Sequence, residues 1–124
     1  MPIIQAPAKA THEMGKTRFW QLAAPSTGSS EASVWRVEVS PDADAVPHEL
    51  TREEVLVVIE GTARATLDGV VERVDAGGAI VVPAHTPFSL AAAGSKPLVA
   101  LAYLPVGGQA KVGGGEPFTP PWAE

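Results

Sequence analysis

Between Glu53 and Gly94 the chain is cut into short pieces at Glu60-Gly61, Asp68-Gly69, Gly77-Gly78 and the stretch from Pro83 to Pro87. Neither glycine nor proline suits a helix interior, and the pieces between the breaks are strand-like runs. The Asp-Gly pair between "ARATL" and "VVERV" is a strong hairpin signal, because a tight primed turn needs residues that accept positive φ. The centre of the chain is therefore expected to be an antiparallel meander. The same punctuation runs throughout: twelve glycines and twelve prolines make nearly a fifth of the 124 residues. A helix-rich fold is disfavoured, and the spacing of the runs points to a sandwich or barrel.

Outside the centre, "TRFWQLA" (17–23) and "SVWRVEV" (33–39) read as strands separated by the turn-prone "APSTGSSE". In the second, Trp35, Val37 and Val39 alternate with Val34, Arg36 and Glu38, giving one apolar and one mixed face, as in the wall of a barrel. "SPDADAVP" is a loop that delivers the chain to His48, and "PLVALAYLPV" is a last long strand. Residues 106–124 form a Gly/Pro-rich tail that reads as irregular. Its Phe118 and Trp122 are large rings that gain by docking on a surface, so a strapped-down tail is expected.

The length and a 45% hydrophobic content suit one domain spanning 1–124. A formal charge of −5 without clustered Lys or Arg argues against nucleic acid and anionic membrane partners. With no cysteine present, a metal would have to be held by His, Asp or Glu. No stretch approaches the ~18 apolar residues of a membrane span, and the N-terminal residues lack a secretory pattern, so a cytoplasmic location is expected.

Two frames in the chain resemble the cupin superfamily. The first cupin motif runs glycine, His-x-His, a glutamate and a closing glycine; Asp42, His48, Leu50, Glu54 and Gly61 occupy those places here. The second runs glycine, Pro-x-Gly and a histidine; Gly77, Pro83, His85 and Phe88 occupy those. The resemblance covers roughly residues 42–92 and implies an all-β, jelly-roll-like (RmlC-like) antiparallel barrel with an N-terminal arm and an extended tail. In that family the two histidines, the glutamate and the last histidine surround a divalent ion. Only His48 and Glu54 keep a ligand type here, since leucine and phenylalanine have no lone pair to donate.

Three roles are open to His48: metal ligand, general acid/base, or a hydrogen-bonded residue in the barrel mouth. Beside it Glu54 would favour the imidazolium, while apolar neighbours would raise the carboxyl pKa, so the two make a candidate proton-transfer pair. Leu50 and Phe88 turn former ligand places into apolar walls, which suits an apolar or aromatic small molecule. Trp35 and His85 join them as candidate pocket residues; for His85 the alternatives are a surface position and one leaning over the mouth as a substitute ligand. Glu53 is expected on the opposite, solvated face of its strand. His12 is expected in an exposed arm or near the opening, and Trp20, Trp35 and Tyr103 in the core or the pocket wall.

Three functional classes follow. The first is a cupin that binds a small molecule without a tightly held metal, as a binding module or as an isomerase, cyclase or epimerase. The second is a metal-dependent oxygenase, lyase or isomerase with an atypical ligand set for Fe, Mn, Ni or Zn. The third is a non-catalytic association or sensing module. Apolar strands such as "TRFWQLA" also lead us to expect a homodimer, formed by strand addition or sheet packing.

Overall fold

The computed structural model describes residues 2–124. Eleven strands account for almost all the regular structure: β1 (His12–Met14), β2 (Thr17–Ala23), β3 (Ala32–Val39), β4 (Glu49–Leu50), β5 (Glu54–Glu60), β6 (Thr62–Leu67), β7 (Val70–Asp75), β8 (Ala79–Val82), β9 (Phe88–Ala92), β10 (Leu98–Pro105) and β11 (Ala110–Lys111). All pairings are antiparallel. A six-stranded sheet has the order β1-β2-β3-β10-β5-β8, a three-stranded sheet β7-β6-β9, and a ribbon β11-β4. Among the described residues no helix is long and apolar enough to cross a membrane.

Period-two patterning explains the layers. In β3 every second residue is buried, so Ser33, Trp35, Val37 and Val39 face inward while Arg36 and Glu38 face out. In β5 the buried set is Glu54, Leu56 and Val58. These meet Ala63 and Ala65 of β6 and Phe88 and Ala92 of β9 in one apolar cluster, so the two larger sheets enclose a single core. The interior burial of a chain this apolar, at ~25 cal/mol per Å², is the main term holding the sheets together.

The breaks read from the sequence become turns. Asp68 and Gly69, with φ of 49° and 82°, close the β6–β7 hairpin in the left-handed geometry of a primed turn. Gly61 (φ 76°) makes the step from β5 to β6, and a Cβ there would lie 2.4 Å from the Pro97 carbonyl oxygen. Only glycine allows that approach.

Three expectations need correcting. The tail is not wholly irregular: β11 pairs with β4, Ala110 bridges Phe118, and residues Pro121–Ala123 form a 3₁₀ turn. Its backbone polar groups find partners in the barrel, which short polar runs between glycines permit. The run 17–23 is not a bare edge along its whole length, because β1 pairs with Thr17–Phe19. Tyr103 is neither core nor pocket wall; with Leu101 it lies on the outer face of β10 and is 39% exposed.

Candidate functional site

The two motif frames meet across one backbone bridge. The His48 N–H donates to the Phe88 carbonyl (2.9 Å), and the Phe88 N–H donates back to His48 (2.8 Å). This puts the imidazole and the phenyl ring edge to face, with centroids 5.5 Å apart and planes at 67°. Leu50 follows His48 at period two and is 3% exposed. Glu54, at the start of β5 opposite Val82, points inward from the neighbouring strand.

These side chains line a cavity of about 660 Å³ that opens between the β1–β2 turn, the 42–46 loop and the tail. Its wall is mostly apolar: Phe19, Trp35, Val37, Val39, Leu50, Leu56, Phe88, Leu90, Phe118 and Trp122 contribute. The pocket residues expected from the sequence thus divide. Leu50, Phe88 and Trp35 line the cavity and His48 stands on its wall, but His85 does not.

His85 is exposed on a turn with φ 60°, its N–H donating to the Leu50 carbonyl at 2.7 Å. The second motif expects glycine at that place, and the left-handed backbone is the reason; histidine tolerates it at a cost of about 1 kcal/mol and is turned to solvent. Asp42, by contrast, stands in a glycine place of the first motif with no positive φ to demand one.

Glu54 is 6% exposed and borders the cavity, and no described residue donates a hydrogen bond to its carboxyl. Burial alone pushes its carboxyl up to about 8, so it is neutral at pH 7. The upward direction is the one expected of apolar neighbours, and Glu54 and His48 stand on the same cavity wall. No ion pair or hydrogen bond joins them, and the His48 Nδ1 lies 3.0 Å from the Val46 carbonyl oxygen. A carbonyl only accepts, so Nδ1 carries the hydrogen and Nε2 is free.

At the mouth Lys16 Nζ binds Asp42 Oδ2 at 2.7 Å, and Asp42 also accepts from Ser40. The hydrogen bond from Lys16, then that from Ser40, pulls the Asp42 carboxyl down to about 2. Glu53 is exposed, but it precedes β5 rather than lying on its outer face. His12 is half-buried, 6.4 Å edge-on from Trp122, and is not on the cavity wall. Trp20 faces outward, covered by the guanidinium groups of Arg18 and Arg36 at 5.3 and 4.7 Å from its ring.

Sequence reasoning missed three parts of the wall. Phe19 sits in phase with the inward residues of β3, a signal readable only once the Phe19–Val37 register is known. Trp122 stacks on Phe19 with ring centroids 3.6 Å apart and planes 5° off parallel, and Trp35 meets it edge-on at 6.4 Å. Its indole Nε1 is buried without a partner. Lys16 and Asp44 reach the mouth from loops and belong to no motif, and Asp42 entered the first motif only as the residue in its glycine place.

The cupin domain model matches residues 35–104, more than half of the chain. The chain belongs to the cupin family. No curated protein matches it. Among solved structures this cupin is similar to the polyketide cyclase RemF of Streptomyces resistomycificus, at 24% identity over 82% of this chain and 73% of that one, with a TM-score of 0.67. A cupin-like protein of Thermotoga maritima is 19% identical over 90% and 88% of the two chains, with a TM-score of 0.72. The salicylate 1,2-dioxygenase of Pseudoaminobacter salicylatoxidans, a structure in complex with gentisate, is 16% identical over 81% of this chain but only 30% of its own, with a TM-score of 0.68. At these identities the likeness establishes the fold.

The cupin fold implies a metal centre at the four motif places, and the donors here do not fit one. Leu50 and Phe88 supply none, and among the described residues no three His, Asp or Glu side chains converge. His48 and Glu54 remain as separate groups on the cavity wall.

Two expectations follow from this geometry. For Glu54 the folded pKa of about 8 lies above the ordinary 4.5. Between those values the folded state holds a proton that the unfolded chain releases, so stability falls as pH rises from about 4.5 to about 8, by up to ~1.4 kcal/mol per pH unit. Urea unfolding at pH 5 and pH 8.5 should therefore show Glu54→Gln gaining on the wild type by a few kcal/mol at the higher pH; parallel curves for the two proteins would show that the carboxyl is ionised or solvated. His85→Gly should stabilise the fold by about 1 kcal/mol by relieving the left-handed histidine. A loss of stability in urea titration would mean that the imidazole makes contacts worth more than the strain.

Proposed function

We propose that this cupin binds a small apolar or aromatic molecule inside the barrel, without a tightly held metal, and that the site is suited to metal-independent isomerase, cyclase or epimerase chemistry. The observation that carries the reading is the 660 Å³ cavity whose former ligand places are Leu50 and Phe88, with one buried, unpartnered carboxyl on its wall. An apolar cavity with few polar groups is the usual form of a small-molecule site. The likeness to a polyketide cyclase and to a dioxygenase solved with gentisate supports a barrel of this shape admitting aromatic ligands.

Two groups are placed to move a proton. Glu54, with a pKa near 8, can give a proton to a carbonyl or alkoxide oxygen and take one back at neutral pH. His48, with Nδ1 held by the Val46 carbonyl, presents Nε2 as an acceptor. Because the two do not touch, they would act on separate atoms of the bound molecule rather than as a relay.

The test is thermal unfolding with a neutral aromatic probe, 2-naphthol, together with elemental analysis of protein soaked in Fe, Mn, Ni and Zn. Saturating probe at about 100 times its dissociation constant should raise stability by about 2.7 kcal/mol, and metal should stay well below one per chain. No stabilisation at any concentration would sink the pocket. Stoichiometric metal that is lost in a His48→Ala, Glu54→Ala double variant would replace this reading with a metalloenzyme.

We also propose a homodimer packed through the outer face of the six-stranded sheet. Val57 and Ile59 of β5, Val81 of β8, and Leu101 and Tyr103 of β10 lie on adjoining strands and are 37–52% exposed. Such a contiguous apolar patch is uncommon on a monomer. Light scattering should give twice the chain mass, and a Val57→Arg, Leu101→Arg variant should halve it; a monomeric wild type refutes the proposal.

A further inference from the structure

The ionisable side chains on the cavity wall are unbalanced. Three are carboxyl groups, those of Glu54, Asp42 and Asp44, and one is a lysine, Lys16, already bound to Asp42 at 2.7 Å. No arginine lines the cavity, and the His48 Nδ1 is taken by the Val46 carbonyl. Asp42 and Asp44 are exposed at the mouth and Glu54 is the one buried carboxyl, so a ligand bearing a carboxylate or phosphate would meet no free cation on the wall and would be disfavoured.

A neutral ligand would be tolerated but would leave the field of the wall unanswered. Glu54 is more than nine-tenths buried, has no hydrogen bond from any described protein group, and faces the cavity. Around it the rings of Phe19, Trp35, Phe88, Phe118 and Trp122 form much of the wall. Aromatic faces carry negative electrostatic potential and attract cations, more strongly where water is excluded. An ammonium group on an apolar body satisfies the carboxyl and the rings together.

We propose that the cavity's ligand is an organic amine bound as its ammonium ion, with the nitrogen against the Glu54 carboxyl and the apolar body among the aromatic rings. This deepens the small-molecule reading above and rests on it. The amine brings the positive charge that the wall lacks, and binding it turns Glu54 from a desolvated acid into one half of a hydrogen-bonded ion pair. Asp42 and Asp44 at the mouth add a field that draws cations in and turns anions away.

Three probes with one naphthyl body separate the possibilities: 2-(2-naphthyl)ethylamine, 2-(2-naphthyl)ethanol and 3-(2-naphthyl)propionate. Their dissociation constants are measured by calorimetry at pH 8, where an alkylammonium with a pKa of about 10 is still charged. The amine should bind roughly tenfold tighter than the alcohol, with the propionate weakest. In Glu54→Gln the amine should fall to within about threefold of the alcohol measured on the same variant.

Should the alcohol bind as tightly as the amine, or the amine keep its advantage in Glu54→Gln, the amine assignment fails and the apolar pocket stands. Should none of the three bind, both fall. The ranking of the probes on the wild type decides the matter even if the Glu54→Gln protein does not fold.

Discussion

The arrangement of the two motif frames at the cavity turns on the pair of backbone hydrogen bonds between His48 and Phe88. One partner leads out of an irregular loop into β4, and the other opens β9 of the three-stranded sheet, so the bridge ties segments forty residues apart at the mouth of the barrel. The distance from Leu50 to Phe88 across the mouth, the approach of the β4–β11 ribbon, and the entry of β5 with Glu54 at its head all follow from that one closure. Because the closure is made by main-chain groups, it places no demand on the side chains at either position.

That independence accounts for what this cupin has become. The motif places converge as the frame requires, yet two of them carry apolar side chains and a third a carboxyl with no partner. Where imidazoles would surround a cation, hydrocarbon now surrounds Glu54, and the carboxyl responds by holding its proton. The same scaffold carries a largely apolar pocket with Glu54 as its one buried carboxyl, and Lys16, Asp42 and Asp44 at the mouth.

The strands were legible because their signals are local. Glycine and proline breaks, the Asp68-Gly69 turn and the alternation of β3 are properties of neighbouring residues, and a motif frame survives substitution within it. What was not legible depends on register or on backbone sign. The motif frame put His85 in a glycine's place, but neither its left-handed φ of 60° nor its exposure away from the cavity wall could be read from neighbouring residues. His48 and Glu54 are six residues apart in sequence, but β4 and β5 belong to different sheets, and the nearest acceptor for the imidazole is a carbonyl two residues back. The stacking of Trp122 on Phe19 joins residues too far apart for any periodicity to connect.

The tail contributes to the pocket without belonging to the barrel. Phe118, Pro120 and Trp122 form part of the cavity wall, yet they are anchored by a two-residue strand, by the Gln21 amide at 3.2 Å from the Trp122 carbonyl oxygen, and by the Ser33 hydroxyl on the Ala123 carbonyl. Trp122 packs on Phe19, and Ala110 and Ala123 belong to the core, so the segment that shapes one side of the pocket also closes the apolar interior. A substitution at Trp122 changes the space offered to a ligand and the packing of the barrel in one step, and the pocket can be reshaped only as far as the core tolerates.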